Sequence, residues 1–189
     1  MSDSPTRYSS GQKFLHWTMA ALIVVMVTVG LTMTNLGDGP TKNVLYELHK
    51  STGLVVLMLA LIRIVVRRTR SAPPLEPMPE WRRKAAYASH YSMYVLIVLV
   101  PLMGWIATSY CCKPVNLFWT VPVSLPIPNA PTMEASRPLF LIHFALAFTL
   151  AAIVTIHVTA ALHHHFVRRD RTLLRMLPGG DGTSAGPVR

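Results

Sequence analysis

The chain has 189 residues, 51% of them hydrophobic and only 14% charged, with a formal net charge of +10 and a mean hydropathy of +0.39. So apolar a balance excludes a disordered chain and points away from an ordinary soluble domain. The basic excess is the one feature that suits nucleic acid. Its charges gather at the ends of apolar stretches, where membrane topology accounts for them, so no nucleic-acid partner is expected.

Four apolar stretches, at about 14–36, 44–66, 86–110 and 138–166, are each long enough to cross a bilayer at about 1.5 Å per residue. The fold class expected is an all-α membrane protein, a four-transmembrane-helix bundle over residues 1–177. A flexible, Gly-rich cytoplasmic tail is expected over 178–189. The first stretch carries no charge from Trp17 to Leu36, and no small-x-small cleavage pattern precedes Gly37-Asp38-Gly39-Pro40, so it is read as a retained span. Between spans two and three, Ala72-Pro73-Pro74-Leu75-Glu76-Pro77-Met78-Pro79 is an extended linker. Pro101, followed by Gly104, is expected to kink span three. Residues 111–137 form the longest external connection, with Leu117-Phe118-Trp119 expected at headgroup level.

Charge gives the orientation. Arg67, Arg68, Arg70, Arg82, Arg83, Lys84, Arg168, Arg169, Arg171, Arg175, Arg189, Arg7 and Lys13 fall on one side, against Lys42, Lys50, Lys113 and Arg137 on the other. That bias puts both termini in the cytoplasm.

Eight histidines occur, and position sorts them. His143 and His157 lie fourteen residues apart in span four. Fourteen steps of about 100° return to within roughly 40° of the starting azimuth and climb about 21 Å, so both imidazoles project from nearly one face at two depths. Ionisable side chains in lipid are costly and usually functional, and neutral imidazole is a common metal ligand. His16 lies at the cytoplasmic end of span one, His49 near the external start of span two, and His90 near the cytoplasmic start of span three. Depth alone then pairs His49 with His143 outside and His16 with His157 inside.

Facing helices of a bundle supply the two axial ligands of six-coordinate haem iron. With no Cys-x-x-Cys-His in the chain, the haem would be b-type, held by coordination and packing. Each histidine taken alone reads equally well as a polar interfacial residue. The two depth-matched pairs favour two haems b, and two metal centres stacked across a membrane imply electron transfer through it.

Other residues are weighed beside these. Gly53, one turn after His49, suits either close approach of a porphyrin or helix–helix packing. Arg63 lies fourteen positions after His49; its azimuth favours pairing with an inner-haem propionate over snorkelling to the interface. His90 competes with His16 as a ligand, or bonds a propionate, or carries protons. His163-His164-His165 fan out by about 100° each on a helix and are not expected to converge on one ion. The vicinal Cys111-Cys112 is not expected to bridge itself and receives no role.

These residues resemble the bacterial cytochrome b561 family over roughly residues 8–177. The resemblance is carried by Leu15-His16-Trp17, by Leu48-His49-Lys50-Ser51-Thr52-Gly53 with Leu61-Ile62-Arg63, by His90 eleven residues before Pro101, and by His143 with His157. Its most distinctive part is Ala160-Ala161-Leu162-His163-His164-His165-Phe166 followed by Asp170-Arg171-Thr172-Leu173-Leu174-Arg175-Met176. It implies a four-span, di-haem b inner-membrane protein akin to the cytochrome b subunits of hydrogenases and formate dehydrogenases. The implied axial ligands are His16 and His157 for one haem, His49 and His143 for the other. The external connection, with Cys111-Cys112 and its prolines, departs from the family.

The short form is implied to be an oxidoreductase coupling superoxide to ubiquinone, with the lipid bilayer, ubiquinone/ubiquinol and superoxide/oxygen as partners. Lys50, directly after a ligand, then either steers superoxide as part of a positive external rim with Lys42, Lys113 and Arg137, or is an ordinary interfacial lysine. The alternative is a haem b electron-relay subunit linking a periplasmic dehydrogenase or hydrogenase to quinone, which predicts a co-purifying periplasmic redox partner. Outside redox chemistry, a metal-ion transporter predicts a colourless protein, and a purely structural scaffold predicts no cofactor at all.

Overall fold

A computed structural model describes residues 6–112, 115–123, 125 and 132–178. Apart from Pro178, the expected tail lies outside the described residues, as does Lys113. Four helices, α1 (Ser10–Asn35), α2 (Pro40–Thr69), α3 (Glu80–Cys111) and α4 (Met133–Phe166), are joined by short connections and by one hairpin, β1 (Val115–Leu117) with β2 (Val121–Val123). All four are long and apolar enough to cross a membrane, and the chain is a multi-pass membrane protein.

Local chemistry sets the helix starts. Ser9 caps α1 in a capping box: its hydroxyl accepts from the Gln12 N–H at 3.4 Å, and the Gln12 side chain accepts from the Ser9 N–H at 2.9 Å. Pro40 stands at the first position of α2, where its missing N–H costs nothing. The fourth helix begins five residues before the apolar boundary expected at 138, because the Thr132 hydroxyl accepts from the Ala135 N–H at 3.2 Å. Pro138 therefore falls inside α4, and Pro101 inside α3, which continues to Cys111.

A hydroxyl facing lipid is costly to leave unsatisfied. Thr28, Thr32, Thr149 and Thr155 accordingly donate to the carbonyl four residues back, at 2.8–2.9 Å. Large apolar side chains such as Phe14, Val24, Met58, Leu141, Phe148 and Ile156 stay exposed around the bundle, as a hydrocarbon-facing surface requires.

Adjacent helices pack in order, α1 on α2, α2 on α3 and α3 on α4. Among the described residues, α1 and α4 have no comparable backbone packing. The central apolar cluster joins Met19 of α1, Val56 and Ala60 of α2, Leu96 and Ile97 of α3 and Leu150 of α4. Leu150 lies seven residues from His143 and seven from His157, so this cluster separates the two depths.

The connection after α3 differs from expectation in two ways. Residues 115–123 form an antiparallel hairpin, pairing Val115 with Val123 and Leu117 with Val121. Phe118 and Trp119 in its loop have φ of 45° and 63°, a left-handed conformation that favours glycine and costs a bulky residue about 1–3 kcal/mol. Cys111 and Cys112 are disulfide-bonded to each other, contrary to the expectation for adjacent cysteines. The helix ends between them: Cys112 is extended (φ −135°, ψ −175°), so the two side chains escape the helical fan.

At the opposite end the chain folds back after α4. Arg169 takes a positive φ of 53°, Lys13 Nζ donates to the Leu177 carbonyl at 2.9 Å, and Trp17 Nε1 donates to that of Met176 at 2.8 Å. Arg175 donates to the Pro74 carbonyl at 2.7 Å and pairs with Glu76, also at 2.7 Å. The N-terminus, the α2–α3 linker and the C-terminal segment thus close this end together.

Asp170 organises the fold-back. Its carboxylate accepts from His164 Nδ1 at 2.5 Å and from the Thr172 N–H at 3.0 Å, with Arg168 Nε 3.5 Å away. Burial alone would raise the Asp170 pKa, but the hydrogen bonds from Thr172 and His164 outweigh it and hold the carboxyl below its ordinary 3.8. Its stabilisation is therefore fully present above that value and is lost as pH falls through the depressed folded-state pKa. Asp170→Ala is expected to cost about 1–3 kcal/mol at neutral pH, a deficit that shrinks below pH 3.8. Thermal unfolding in detergent across that range checks it.

Candidate functional site

Two groups of imidazoles stand at the two depths. At the hairpin end, His49 of α2 faces His143 of α4 with ring centres 6.3 Å apart and planes at 84°. His143 Nδ1 donates to the Val100 carbonyl of α3 at 2.9 Å. A carbonyl only accepts, so the proton sits on Nδ1 and leaves the Nε2 lone pair free.

Glycine makes the room for both rings. A Cβ at Gly104 would stand 3.0 Å from atoms of the His143 ring, and one at Gly30 would stand 3.2 Å from His49 Cε1. α3 and α1 approach the imidazoles this closely only without a side chain at those points. Beside the rings lies a cavity of about 570 Å³ whose walls include His49, His143, Gly53, Trp105 and Val115. Its volume falls in the range of cofactor pockets. His49 Nδ1 and Trp105 Nε1 are buried and have no hydrogen-bond partner among the described residues.

Lys50 also lines this cavity, but its ammonium is held by the Glu47 carboxylate one turn back. Lys42 is likewise paired with Asp38 at 3.0 Å. Two of the four cations expected to form a positive rim are therefore neutralised locally. Counting lysines without the carboxylates one helical turn away hid this.

At the termini end, His16 of α1, His90 of α3 and His157 of α4 come together. The His16 and His157 ring centres are 6.4 Å apart, those of His90 and His157 5.3 Å. Arg63 of α2 points into the bundle, away from the interface to which it could have snorkelled. One guanidinium nitrogen donates to His16 Nδ1 at 2.9 Å, the other terminal nitrogen is buried with no partner among the described residues, and the group lies 5.9 Å from the centre of the Tyr94 ring. Buried Ser89 Oγ also has no partner among the described residues. The structure thus gathers His49, His143, Gly53 and Lys50 at one depth and His16, His157, His90 and Arg63 at the other.

The family model described as prokaryotic cytochrome b561 matches residues 7–179. The chain belongs to that family. Among its relatives are cytochrome b561 homolog 2 of Escherichia coli K12, 32% identical over 93% of this chain and 94% of its own length, and homolog 1 of the same strain, 28% identical over 91% and 97%. A probable superoxide oxidase, CybB, of Yersinia pestis is 29% identical over 91% of this chain and 96% of its own. Membership in the cytochrome b561 family carries membrane electron transfer and the binding of b-type haem.

Several residues of the site escaped sequence reasoning. Gly30 and Gly104 each sit in an apolar run like any packing glycine, and nothing local says that an imidazole from another helix lies against them. Trp105 gave no signal either. Gly53 lines the cavity, yet a Cβ there meets only Met26 Cε at 3.6 Å, an ordinary contact.

The glycines therefore respond differently to substitution. Gly104→Val drives a side chain into a ring that Val100 holds in place, with an expected cost of about 1–3 kcal/mol and loss of bound haem. Gly53→Ala should leave the stability of the haem-free protein unchanged. A fall in haem content in that variant would mark contact with the porphyrin itself. Haem assay by pyridine haemochrome, beside thermal unfolding, reads both.

Proposed function

We propose that this cytochrome b561 is a di-haem oxidoreductase passing electrons from superoxide at the hairpin end to ubiquinone, with one haem b held by His49 and His143 and a second by His16 and His157. In this reading the protein lies in the bacterial inner membrane with the hairpin end outside and both termini in the cytoplasm. The observation that carries it is the spacing of the two imidazole pairs, 6.3 and 6.4 Å between ring centres. Two imidazoles that held one iron between them, each through a bond of about 2 Å with about 1 Å more from nitrogen to ring centre, would stand about 6 Å apart. His90 stands closer to His157, at 5.3 Å, and fits better as a neighbour of that site than as an axial ligand.

The donor chemistry fits the group. His143 already offers an unprotonated Nε2, and the glycines and the apolar cavity leave space for a planar ring. At the other depth, a His16 that binds metal through Nε2 keeps a proton on Nδ1. That proton and the donor-only guanidinium cannot share a contact of 2.9 Å. Arg63 must then find another acceptor, and a propionate carboxylate supplies one.

Bound haem b supplies a one-electron iron couple at each depth. The chain's residues fix those depths about 21 Å apart through the fourteen-residue spacing on α4. Superoxide gives up one electron and leaves as oxygen; two such donations, with two protons, convert ubiquinone to ubiquinol. The probable superoxide oxidase among the relatives supports this donor. The pairing of Lys50 with Glu47 favours a second reading, because a rim whose Lys50 and Lys42 are both paired has less to attract an anion. On that reading a periplasmic dehydrogenase or hydrogenase delivers the electrons and co-purifies.

Stopped-flow reduction of the purified protein by superoxide, with and without ubiquinone, separates the two. Rapid reduction of the isolated chain, and reoxidation on adding quinone, is the expected result; no reduction without a partner protein would sink the superoxide reading. His49→Ala or His143→Ala should remove one of two haems, and His16→Ala or His157→Ala the other. His90→Ala should retain both. Lys50→Gln uncovers Glu47 and should slow superoxide oxidation severalfold at low ionic strength, the difference fading as salt shortens the Debye length.

A further inference from the structure

Ser51 lies two residues after His49 and is fully buried, at 0% exposure. Neither its burial nor its contacts serve α2. Its hydroxyl donates to the Asn116 carbonyl at 3.2 Å and accepts from the Phe118 N–H at 2.9 Å. Asn116 is in β1 and Phe118 begins the hairpin loop, so one hydroxyl satisfies an acceptor and a donor of the hairpin at once. The Asn116 carbonyl also accepts from the Trp119 N–H at 3.2 Å within that loop. The left-handed Phe118 and Trp119 are thus anchored on both sides of the strained turn. Val115, at the start of β1, is 2% exposed and forms part of the cavity wall beside His49 and His143.

We infer that Ser51 is a positioning residue that pins the hairpin over the cavity, so that Val115 closes it to all but small redox partners. This rests on the proposed haem at His49 and His143, and it adds a filter. A diatomic anion reaches the site through the pinned hairpin, while a bulky anionic complex is held off. Nothing in α2 itself requires a hydroxyl at position 51, because a buried alanine there would suit the helix better.

Loss of a buried hydrogen-bond pair shifts a local opening equilibrium on the order of tenfold. The haem-loaded protein with Ser51→Ala should therefore lose amide-exchange protection at Phe118 by about that factor. Its oxidation by ferricyanide, after reduction, should accelerate by a similar factor, while reduction by superoxide changes much less and haem content stays the same. Ser51→Thr, which keeps the hydroxyl, should restore both values toward wild type. Val115→Gly removes the closing side chain and should accelerate ferricyanide while leaving Phe118 exchange unchanged.

An unchanged ratio of ferricyanide to superoxide rates in haem-replete Ser51→Ala and Val115→Gly overturns the inference alone. So does loss of a haem in Ser51→Ala, which would make the residue part of cofactor retention. A wild-type preparation without haem overturns the electron-transfer reading first, and this inference with it.

Discussion

The hydrogen bond from His143 to the Val100 carbonyl sets the register of the bundle's working parts. It ties α4 to α3 at one depth, and because α4 also carries His157, the rigid spacing of a single helix transmits that register to the other depth. It selects the tautomer as well, leaving His143 Nε2 without a proton. Gly104, four residues after Val100, clears the space on the same face of α3. An imidazole in lipid needs a partner for each nitrogen, and this arrangement gives His143 one from the protein and reserves the other.

Around this bond the bundle leaves a cavity of about 570 Å³ beside His49 and His143. α1 and α4 are held apart along their length, with His16 and His157 facing across the gap. The apolar cluster of Met19, Val56, Ala60, Leu96, Ile97 and Leu150 fills the middle. Polar groups lie above and below it, in two separate compartments. At the far end the Arg63 guanidinium lies on His16, a contact that ligation of iron would displace.

Much of this was legible in the sequence because membrane helices obey simple periodicities. Four apolar runs became four helices, and fourteen-residue spacing placed His143 with His157, and His49 with Arg63, on single faces. The depths of His16, His49 and His90 followed from the alternation of span direction. What escaped was everything set by contact between segments remote in sequence. Ser51 reads as a small polar helix residue until a hairpin some 65 positions later is seen to sit on it. Gly30 and Gly104 become meaningful only when a ring from another helix arrives. Lys50 was read for its charge without Glu47. The bonded Cys111 and Cys112 depended on where a helix stopped between two neighbours, and Asp170, quoted only as part of a motif, proved to hold the fold-back through His164.

The clasp formed by Lys13 and Trp17 on the carbonyls of Leu177 and Met176 has a consequence for biogenesis. It cannot close until the ribosome has passed α4, so the first helix to enter the membrane waits for the last-made turn before its end of the bundle is locked. Until then, the gap between α1 and α4 has no latch at that end.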